Sequence, residues 1–516
     1  MGCSHHGRLL QKFGRKLNLI HSDHPVPDPA RAYIDSVPGG DWYLFDMSPL
    51  DVTGVPAWKA AFFPWDAGVA GCEFQQGTGY GATAHQAIIS AVAECYEEIQ
   101  ARIGFARLTQ VEGSYNQLVC NRGRSGIVDP YELCLPAGSD VQRDTVLHWV
   151  KARRWLSGES VLVPVDIVAL STDQLPPAYR PFATLITNGL GAGPTVEWAA
   201  AHGLLECLQR DGNGLKLRAM DAKVGLTFDD ALPSDVASLC NRIGDANIDL
   251  LPKFASDEFG LVNVFVVGAD RDTSRLSIPI TMSACGEAAD LDRVAALQKA
   301  ILEYAHARAR KAFAFGSIEA ISRVMPAGYW ERVEPRVRRA ASRTEPRQIG
   351  AFRKWLQLNG NEMRDLLADP VFTVASEKPL RELATSTTVS PDLKGAEVAG
   401  RLMAAGLDPL IVDFSLPGAS MHAVRVIVPK LEVETMSYHR IGERNAKKLI
   451  ALDSPLIRWG EPTEKRRRIK LSPEAYQRLG GIPLLDVEAV DAKVGALYPL
   501  YREPGAHEMM FHTEYA

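Results

Sequence analysis

Three stretches of the chain share one pattern, in which polar residues recur every three or four positions along an otherwise apolar segment. The stretches are residues 82–102, 187–211 and 291–311. This spacing predicts three amphipathic helices, each with its polar residues on one face. A polar face on such a helix needs either water or a partner. Taken singly, each face could be an ordinary solvated surface, but three of them together favour a shared site.

The polar members of the three faces are the candidate site residues. They are Ser90, Glu94 and Glu97 in the first stretch, His202, Glu206, Gln209 and Arg210 in the second, and Lys299, Glu303 and His306 in the third. Carboxylate and amide oxygens are ligands for hard divalent cations. The spacing Glu303-x-x-His306 is also compatible with a di-iron carboxylate site, although such sites usually carry two such pairs and this chain offers one.

Glycine-rich segments precede two of the predicted helices. The segment TNGLGAGPTVEW (187–198) places Pro194 near the first helical position, and QQGTGYGAT (75–83) leads into the first helix. A glycine-rich turn that runs into a helix leaves backbone N–H groups free at the positive end of the helix dipole. The pattern therefore predicts two glycine loops, of which the one before the second helix suits an anion such as a phosphate.

Apolar or alternating runs between the helices predict strands. These runs are WYLFDM (42–47), AWKAAFF (57–63), VLVPVDIVAL (161–170), FATLIT (182–187), LVNVFVVGAD (261–270), IPITMSACG (278–286), LDPLIVDFSL (407–416) and HAVRVIVPKLE (422–432). Because strands and long helices alternate irregularly and several strands are adjacent, the fold class is α/β of the α+β kind, with mixed sheets rather than a doubly wound parallel sheet. We expect a lead-in over 1–45, a main domain over 45–435 and a C-terminal extension over 435–516.

Composition and charge narrow the functional classes. The formal net charge of -5 argues against a nucleic acid as the main partner. No apolar run approaches the ~18 residues that a membrane helix requires, so no membrane partner is expected. The eight cysteines show no paired C-x-x-C spacing and indicate reduced thiols in a cytoplasmic protein.

Three separated motifs, in order, carry a resemblance to a known family. They are GTGYGATAHQAIISAVAECYEEI, TNGLGAGPTVEWAAAHGLLECLQRD and ACGEAADLDRVAALQKAILEYAHAR, supported by VTGVPAW near the front and LDPLIVDFSLPGASMHAVRVIVPKLE behind. With these motifs the chain resembles the YcaO-domain family from about residue 45 to about residue 450. The nearest subgroup is that of the azoline-forming cyclodehydratases, which modify ribosomally made peptides.

The resemblance implies an ATP- and Mg²⁺-dependent enzyme that activates a peptide backbone amide, with the family's mixed sheets and long helices around a nucleotide cleft. In azoline-forming members a Cys, Ser or Thr side chain attacks the preceding amide carbonyl. ATP phosphorylates the resulting oxyanion, and phosphate leaves with the oxygen. Phosphorylation matters because an amide oxygen is otherwise a poor leaving group.

Carried over position by position, the resemblance also implies site residues, although it assigns no catalytic acid or base. The implied magnesium ligands are Glu94, Glu97, Glu206 and Gln209, the last an amide in the place of a second acid. The implied nucleotide contacts are Ser90, Thr187, Asn188, Gly191, Arg210, Lys299, Glu303 and Arg308.

Several positions depart from the family pattern. Gln209 removes one negative charge from the metal cluster, Pro194 replaces an asparagine, and Trp198 replaces a frequent acid. Tyr80 stands where the first glycine loop commonly holds a lysine, and Lys299 replaces an arginine and loses its bidentate fork. These changes leave a second hypothesis open, in which the chain is a YcaO-like scaffold or regulatory subunit with a degenerate ATP site.

The product and the partners follow from the resemblance only in part. Many azoline-forming relatives end in a proline-rich tail, whereas the last proline here is Pro504, so thioamide or amidine formation also remains open. The expected partners are a ribosomally synthesised precursor peptide and a separate leader-binding protein. The family is usually dimeric, so a homodimer is expected.

Overall fold

The computed structural model describes residues 18–214, 221–228, 232–386, 390–433 and 439–513. Within these ranges the chain forms four sheets and a set of helices of very different lengths. The predicted α+β class with mixed sheets is confirmed. The expected domain boundary at residue 435 lies outside the described residues, and the boundary at residue 45 falls inside a strand.

The strands fall into four sheets. The first has the order β1-β2-β3-β4, the second β12-β11-β10-β9-β13, the third β5-β6-β14-β15-β8 with β7 beside β6, and the fourth β16-β18-β17. The pairs β1/β2 and β9/β13 are parallel, and the other ladders are antiparallel. The strands are β1 Leu19–His21, β2 Gly40–Asp46, β3 Ala57–Pro64, β4 Gln75–Tyr80, β5 Val111–Ser114, β6 Val146–Arg154, β7 Ser160–Pro164, β8 Leu190–Gly193, β9 Val224–Thr227, β10 Ile248–Ser256, β11 Val262–Asp270, β12 Gly286–Asp290, β13 Ser376–Pro379, β14 Leu410–Asp413, β15 His422–Ile427, β16 Ile457–Arg458, β17 Arg466–Arg468 and β18 Leu484–Asp486.

The helices include the three predicted from the polar spacing, which are α3, α5 and α7 below. The helices are α1 Asp28–Ile34, α2 Ala67–Ala70, α3 Ala84–Phe105, α4 Tyr115–Arg122, α5 Val196–Gly214, α6 Ser234–Asp245, α7 Arg293–Phe315, α8 Ile318–Ile321, α9 Tyr329–Ala341, α10 Pro346–Leu356, α11 Gly360–Leu367, α12 Pro391–Ala404, α13 Glu443–Ala451, α14 Pro473–Leu479, α15 Val487–Val494 and α16 Met510–Thr513. No helix within the described ranges is both long and apolar enough to cross a membrane.

Each of the three predicted helices begins at a side-chain cap. Thr83 accepts a hydrogen bond from the Gln86 N–H at the start of α3, and Asp292 accepts from the Val294 and Ala295 N–H groups at the start of α7. The Thr195 hydroxyl accepts from the Trp198 N–H at 3.1 Å at the start of α5. Pro194 therefore lies before the cap, two residues ahead of Val196, the first helical position near which the sequence placed it.

The three helices pack on the edge strands of three different sheets. Helix α3 lies on β4, α5 on β8, and α7 on β12. At each contact a strand glycine faces the helix backbone, so closely that a Cβ atom on the glycine would lie about 2 Å from a helix atom (2.1, 2.0 and 1.9 Å). The pairs are Gly79 with Ala91, Gly191 with Ala199, and Gly286 with Ala300. These glycines permit close backbone approach.

The two glycine loops predicted from the sequence are therefore corrected to strands. The segment QQGTGY is β4, and Gly191 lies inside β8, paired with Val424 of β15. Two predicted strands are also wrong: residues 182–187 have no strand pairing, and residues 279–283 form a 3₁₀ helix. In the first case the Arg425 guanidinium binds the Ile186 carbonyl, so that a side chain takes the place of a neighbouring strand.

The first sheet is buried on both faces, which explains why β2 and β3 are apolar throughout. Trp42, Trp58 and Phe62 pack against α3, whereas Phe45 and Phe63 lie on the opposite face, which packs against α7 and α9. The sheet is therefore a wall between α3 and α7. Strand β4 forms the free edge of this wall, where the polar faces of the two helices approach each other.

Residues 439–513 pack against the rest of the molecule and share its largest apolar cluster. Ile469, Leu485 and Tyr498 join Phe265 of β11 and Trp355 of α10 in this cluster. Ion pairs cross the same boundary, because the Arg444 guanidinium binds Asp211 of α5 and Glu258, at 2.8 Å in each case. The C-terminal extension is thus joined to the helix that carries Glu206.

Substituting Gly79 by alanine tests the close contact between strand and helix. The added Cβ would overlap the Ala91 backbone, so Gly79→Ala should lower the free energy of unfolding by about 2 kcal/mol or more. Gly400 is the matched control, because it lies inside α12 with no atom near its Cβ position, and Gly400→Ala should stabilise by about 0.5–1 kcal/mol. Urea unfolding measures both changes, and equal effects would contradict the packing account.

Candidate functional site

The polar faces of α3, α5 and α7 meet where the edges of the three sheets come together. We call this region the three-helix cleft and define it by Glu94, Glu97, Glu206, Arg210, Glu287 and Glu303. Charges from different helices act on one another across it, since Glu206 of α5 raises the pKa of Glu97 of α3. Arg210 of α5 likewise acts on Glu303 of α7. The predicted convergence of the three polar faces therefore occurs.

One acid on each helix accepts a hydrogen bond from the backbone at a sheet edge. Glu94 accepts from the N–H of Thr78 in β4 at 2.6 Å, and Glu206 accepts from the N–H of Gly189, immediately before β8, at 2.9 Å. Glu303 accepts from the backbone N–H of Glu287 in β12. An edge strand has unpaired N–H groups, and each of these carboxylates satisfies one of them. The edge strands thereby fix the three acids in position.

No described residue gives the Glu97 carboxylate such a hydrogen bond. Its pKa is raised well above the ordinary value, first because the surrounding protein removes it from water, and then because Glu206, Glu94 and Glu98 repel its charge. Burial also raises the pKa of Glu94, although the side chain of Glu94 remains exposed to solvent in the cleft. The cleft thus contains an excess of negative charge in a region of low dielectric constant.

These oxygen ligands fit a divalent cation in chemistry and charge. Mg²⁺ binds carboxylate oxygens and keeps several of its waters, so it does not require a complete cage of protein ligands. In the described ranges, no group of three or more His, Cys, Asp or Glu side chains is already arranged to hold a metal ion. The carboxylates would therefore complete their arrangement only when a cation and its other ligands enter.

Arg210 lies between acids of three elements. Its guanidinium is 3.5 Å from Glu206 and 3.4 Å from Glu287. Burial acts to lower the pKa of Arg210, but Glu287, Glu206 and Glu303 outweigh this effect and raise it. The arginine stays charged and connects the metal-ligand candidate on α5 to the acids on β12 and α7.

Glu303 is the acid of α7 that faces the cleft. Burial and the neighbouring Glu287 raise the pKa of Glu303 to about 7. The Tyr80 hydroxyl donates a hydrogen bond to its Oε2 atom at 3.3 Å. Tyr80 is therefore part of the cleft wall and is bonded to a site residue. Trp198 is 40% exposed near the start of α5.

The structure adds Glu287, which the sequence did not indicate as a site residue. It is only 2% exposed, and it lies in β12 between alanine and glycine residues. The sequence feature that could have identified Glu287 is a single acidic residue within a short run of small apolar residues. Such a residue is costly to bury without a partner, and Arg210 is that partner.

The remaining predicted residues have varied surroundings. Ser90 and Lys299 are half-buried, one helical turn before Glu94 and Glu303, and Lys299 acts on the pKa of Glu303. Thr187 is exposed, whereas Gln209 is buried on α5. Each of these nucleotide or metal assignments stays a prediction.

Three of the predicted nucleotide contacts are already engaged elsewhere. The Asn188 side chain donates to the Val433 carbonyl, and Gly191 is buried inside β8. Arg308 binds Asp51 at 3.0 Å and Asp270 at 2.8 and 3.0 Å, and it is fully buried. We therefore leave these three residues out of the nucleotide site proposed below.

His306 provides no support for the di-iron alternative. Its Nε2 atom is buried and has no hydrogen-bond partner, and its ring lies against Tyr80 with centroids 5.2 Å apart. Burial lowers the pKa of His306 to about 3, so the ring is neutral. It forms part of the inner wall of the cleft.

The chain is similar to a known protein family and to proteins from two organisms. A family model described as YcaO cyclodehydratase, binding ATP and Mg²⁺, matches residues 78–432. An uncharacterized protein of Methanothermobacter thermautotrophicus is 26% identical over 435 residues, which cover 84% of this chain and 96% of that protein. An uncharacterized protein in the tfuA 3′ region of Rhizobium leguminosarum is 27% identical over 377 residues, covering 71% of this chain and 79% of that protein.

Two solved structures share the fold. A heterocyclase in complex with substrate and cofactor matches with a TM-score of 0.54 and 17% identity, over 78% of this chain. The match spans only 51% of that heterocyclase, about half of its length. YcaO from Methanopyrus kandleri, bound with AMPPCP and Mg²⁺, matches with a TM-score of 0.51 and 19% identity, over 77% of this chain and 88% of that one.

Arg308→Met tests whether that arginine serves the fold. Removing it leaves Asp51 and Asp270 as buried, unpaired charges, so the free energy of unfolding should fall by about 3–5 kcal/mol. Arg338→Met is the control, because Arg338 pairs with Glu334 at the surface and should contribute below about 0.5 kcal/mol. Nucleotide affinity of the folded fraction should stay within about twofold of wild type. A stable Arg308→Met protein without nucleotide affinity would contradict this assignment.

The pH dependence of stability tests the charge in the cleft. Glu303 has a pKa of about 7 in the folded protein and about 4.5 when unfolded, so it stays protonated to higher pH in the folded state. The free energy of unfolding of the ligand-free protein should therefore fall as pH rises from about 5 to about 7. Glu303→Gln should remove on the order of 2 kcal/mol of that fall in chemical unfolding at several pH values. An unchanged slope would disprove the raised pKa.

Proposed function

The chain belongs to the YcaO cyclodehydratase family, and from this premise we propose that it is an ATP- and Mg²⁺-dependent enzyme that activates a backbone amide of a peptide. The most direct version of this activity is cyclodehydration of Cys, Ser or Thr to an azoline in a ribosomally made peptide. A cytoplasmic setting is part of the proposal, and the free thiols of the seven described cysteines support it.

One observation carries the proposal: acids from three helices converge on one cleft without enough positive charge to balance them. The raised pKa of Glu97, which results from burial and from Glu206 and Glu94, expresses this imbalance. A divalent cation is the natural complement to such a set. The related YcaO of Methanopyrus kandleri was solved with AMPPCP and Mg²⁺, which supports ATP and Mg²⁺ as the pair bound here.

In this proposal the chain holds Mg²⁺ through Glu94, Glu97 and Glu206, with the amide of Gln209 beside them. When bound, the cation would bridge phosphate oxygens and neutralise their charge. The backbone N–H groups of Thr78 and Gly189 would orient Glu94 and Glu206 before a cation enters.

The cations of the cleft complete the phosphate site. Arg210 is held by Glu206 and Glu287, and its fixed charge lies beside the metal candidates. Lys299 lies one helical turn from Glu303 on the same helix face. Both would attract the polyphosphate chain of ATP, while the Tyr80 hydroxyl fixes the orientation of Glu303.

The reaction that this site would serve has balanced chemistry. A Cys, Ser or Thr side chain of the peptide adds to the preceding amide carbon and loses its proton. The amide oxygen would take the terminal phosphoryl group of ATP, with release of ADP, and would leave as phosphate while the amide nitrogen loses its proton and the C=N bond forms, so that the peptide loses the elements of water. A different nucleophile at the activated carbon would instead give a thioamide or an amidine, and these remain alternative products.

The alternative function is that of a scaffold or regulatory subunit. The neutral Gln209 and the substitutions at Tyr80, Pro194 and Trp198 motivate it. Against it, three acids still accept hydrogen bonds from the sheet edges, and Tyr80 bonds one of them. A precursor peptide, a leader-binding partner protein and a homodimer complete the proposal as predictions.

Glu97→Gln tests the proposed function. The variant removes one metal ligand and relieves repulsion, so it should bind a non-hydrolysable ATP analogue with Mg²⁺ at least about tenfold more weakly, without loss of thermal stability. Glu98→Gln is the matched control on the same helix, since the Glu98 carboxylate is bound by Gln75, and it should keep most of the affinity. Calorimetry with and without Mg²⁺ measures both.

The same proteins can be assayed for product. Wild type with ATP, Mg²⁺, the peptide encoded beside its gene and any separate leader-binding protein should give a peptide that has lost water, as seen by mass spectrometry. Glu97→Gln should give none. If wild type binds no nucleotide in the presence of Mg²⁺, the enzyme proposal is wrong and the scaffold hypothesis is favoured.

A further inference from the structure

Lys59 is a buried lysine at the inner wall of the three-helix cleft. It lies in the middle of β3, opposite Thr78 of β4, and its residue is only 3% exposed. In the part of the chain that the structure describes, no carboxylate lies within ion-pairing distance of its ammonium group and no acceptor binds it. Burying an ammonium without a partner is costly, so such a residue requires an explanation.

Other buried lysines of the chain show what a structural role looks like. Lys253 is fully buried, and its ammonium binds the Asp221 carboxylate and the carbonyls of Val371 and Thr373. Lys311 is paired with Glu503. Lys59 has no comparable set of partners, so a structural role does not account for it.

The groups around Lys59 belong to the cleft. The carboxylate that acts on it most strongly is Glu94, a proposed metal ligand, followed by the more distant Glu98. Arg310 is the neighbouring cation, and it shares the Glu503 carboxylate with Lys311. His306 and His507 also lie close enough to feel the charge of Lys59, and both rings are neutral because burial lowers their pKa to about 3. Unlike Arg310, Lys59 has no ion-pair partner among the described residues.

The neighbouring polar atoms also lack partners. Within the described residues, the Nε2 atom of His306 and both ring nitrogens of His507 are buried without a hydrogen bond. Unsatisfied polar atoms of this kind usually contact water or a ligand. Together with Lys59 they mark the inner end of the cleft as a place where a polar group binds.

In the sheet, Lys59 lies near Tyr80, one of the positions that depart from the family pattern. Tyr80 occupies the position for which the resemblance implies a lysine. In the sheet, Tyr80 is opposite Ala57, which lies two residues from Lys59 on the same face. The ammonium group is thus available from the adjacent strand, on the same side of the sheet.

We propose that Lys59 supplies the positive charge that binds the terminal phosphate of the nucleotide in the three-helix cleft. This inference rests on the proposed function and adds a phosphate-binding residue to it. The terminal phosphate is the relevant group because Glu94, a proposed Mg²⁺ ligand, accepts a hydrogen bond from Thr78, the residue opposite Lys59, so the metal-bound phosphates would lie near the ammonium group. A compact ammonium group binds phosphate as a point charge.

Replacing Lys59 by methionine separates this role from a structural one. Lys59→Met should bind a non-hydrolysable ATP analogue with Mg²⁺ at least about tenfold more weakly, while ADP with Mg²⁺ should bind within about twofold of wild type. The melting temperature should stay the same or rise, because the variant removes a buried, unpaired charge. Lys59→Arg should retain part of the preference for the triphosphate.

Lys253→Met is the matched control, since it removes an equally buried ammonium that has partners. It should lower the melting temperature and leave the affinities for both nucleotides unchanged. The inference is overturned if Lys59→Met binds the ATP analogue as wild type does, or if it loses affinity for both nucleotides equally and melts earlier. If wild type binds neither nucleotide, the proposed function fails together with the inference.

Discussion

The site depends on the close contact between three helices and the edge strands of three sheets. A glycine on each strand allows the helix backbone to approach until no Cβ atom would fit. Such a contact fixes both the distance and the rotation of the helix, because small residues on the two sides leave little freedom. With the apolar face held against the sheet, the polar face of each helix points into the cleft. Packing between strand and helix therefore determines where the carboxylates lie.

The same edges also orient the acids. Glu94, Glu206 and Glu303 belong to different helices, yet each accepts a backbone N–H from the edge strand on which its helix packs or from the residue just before that strand. Sheet edges usually present unpaired N–H groups, and here they are used to position negative charge. No described residue gives Glu97 such a hydrogen bond, and burial, followed by repulsion from Glu206, Glu94 and Glu98, raises its pKa well above the ordinary value. A cation would relieve this repulsion. The same negative charges that raise the pKa of Glu97 would therefore favour metal binding.

The sequence predicted the three helices, their polar faces and the meeting of those faces, because a helix period of 3.6 residues is a local signal. It also predicted most of the core strands. It misassigned the glycines, since a glycine that permits close packing and a glycine in a phosphate loop look alike without the sheet order. Glu287 and Lys59 were missed for a related reason. Each is a single charged residue in a short apolar strand, and its role can be assigned only when the fold shows which helix packs on that strand. Arg308 was assigned by resemblance, whereas its partners Asp51 and Asp270 are distant in sequence and only the fold brings them together.

The central claim is that Glu94, Glu97 and Glu206 jointly hold a divalent cation that seats the phosphates of ATP. The most direct measurement is a crystal structure of the wild-type protein with a non-hydrolysable ATP analogue and Mn²⁺, in which anomalous scattering locates the metal. The account predicts a metal peak within roughly 2.0–2.6 Å of oxygens from these three carboxylates and in contact with the phosphates. A bound nucleotide whose metal lies away from these residues, or a cleft that remains empty at saturating nucleotide and metal, would contradict it.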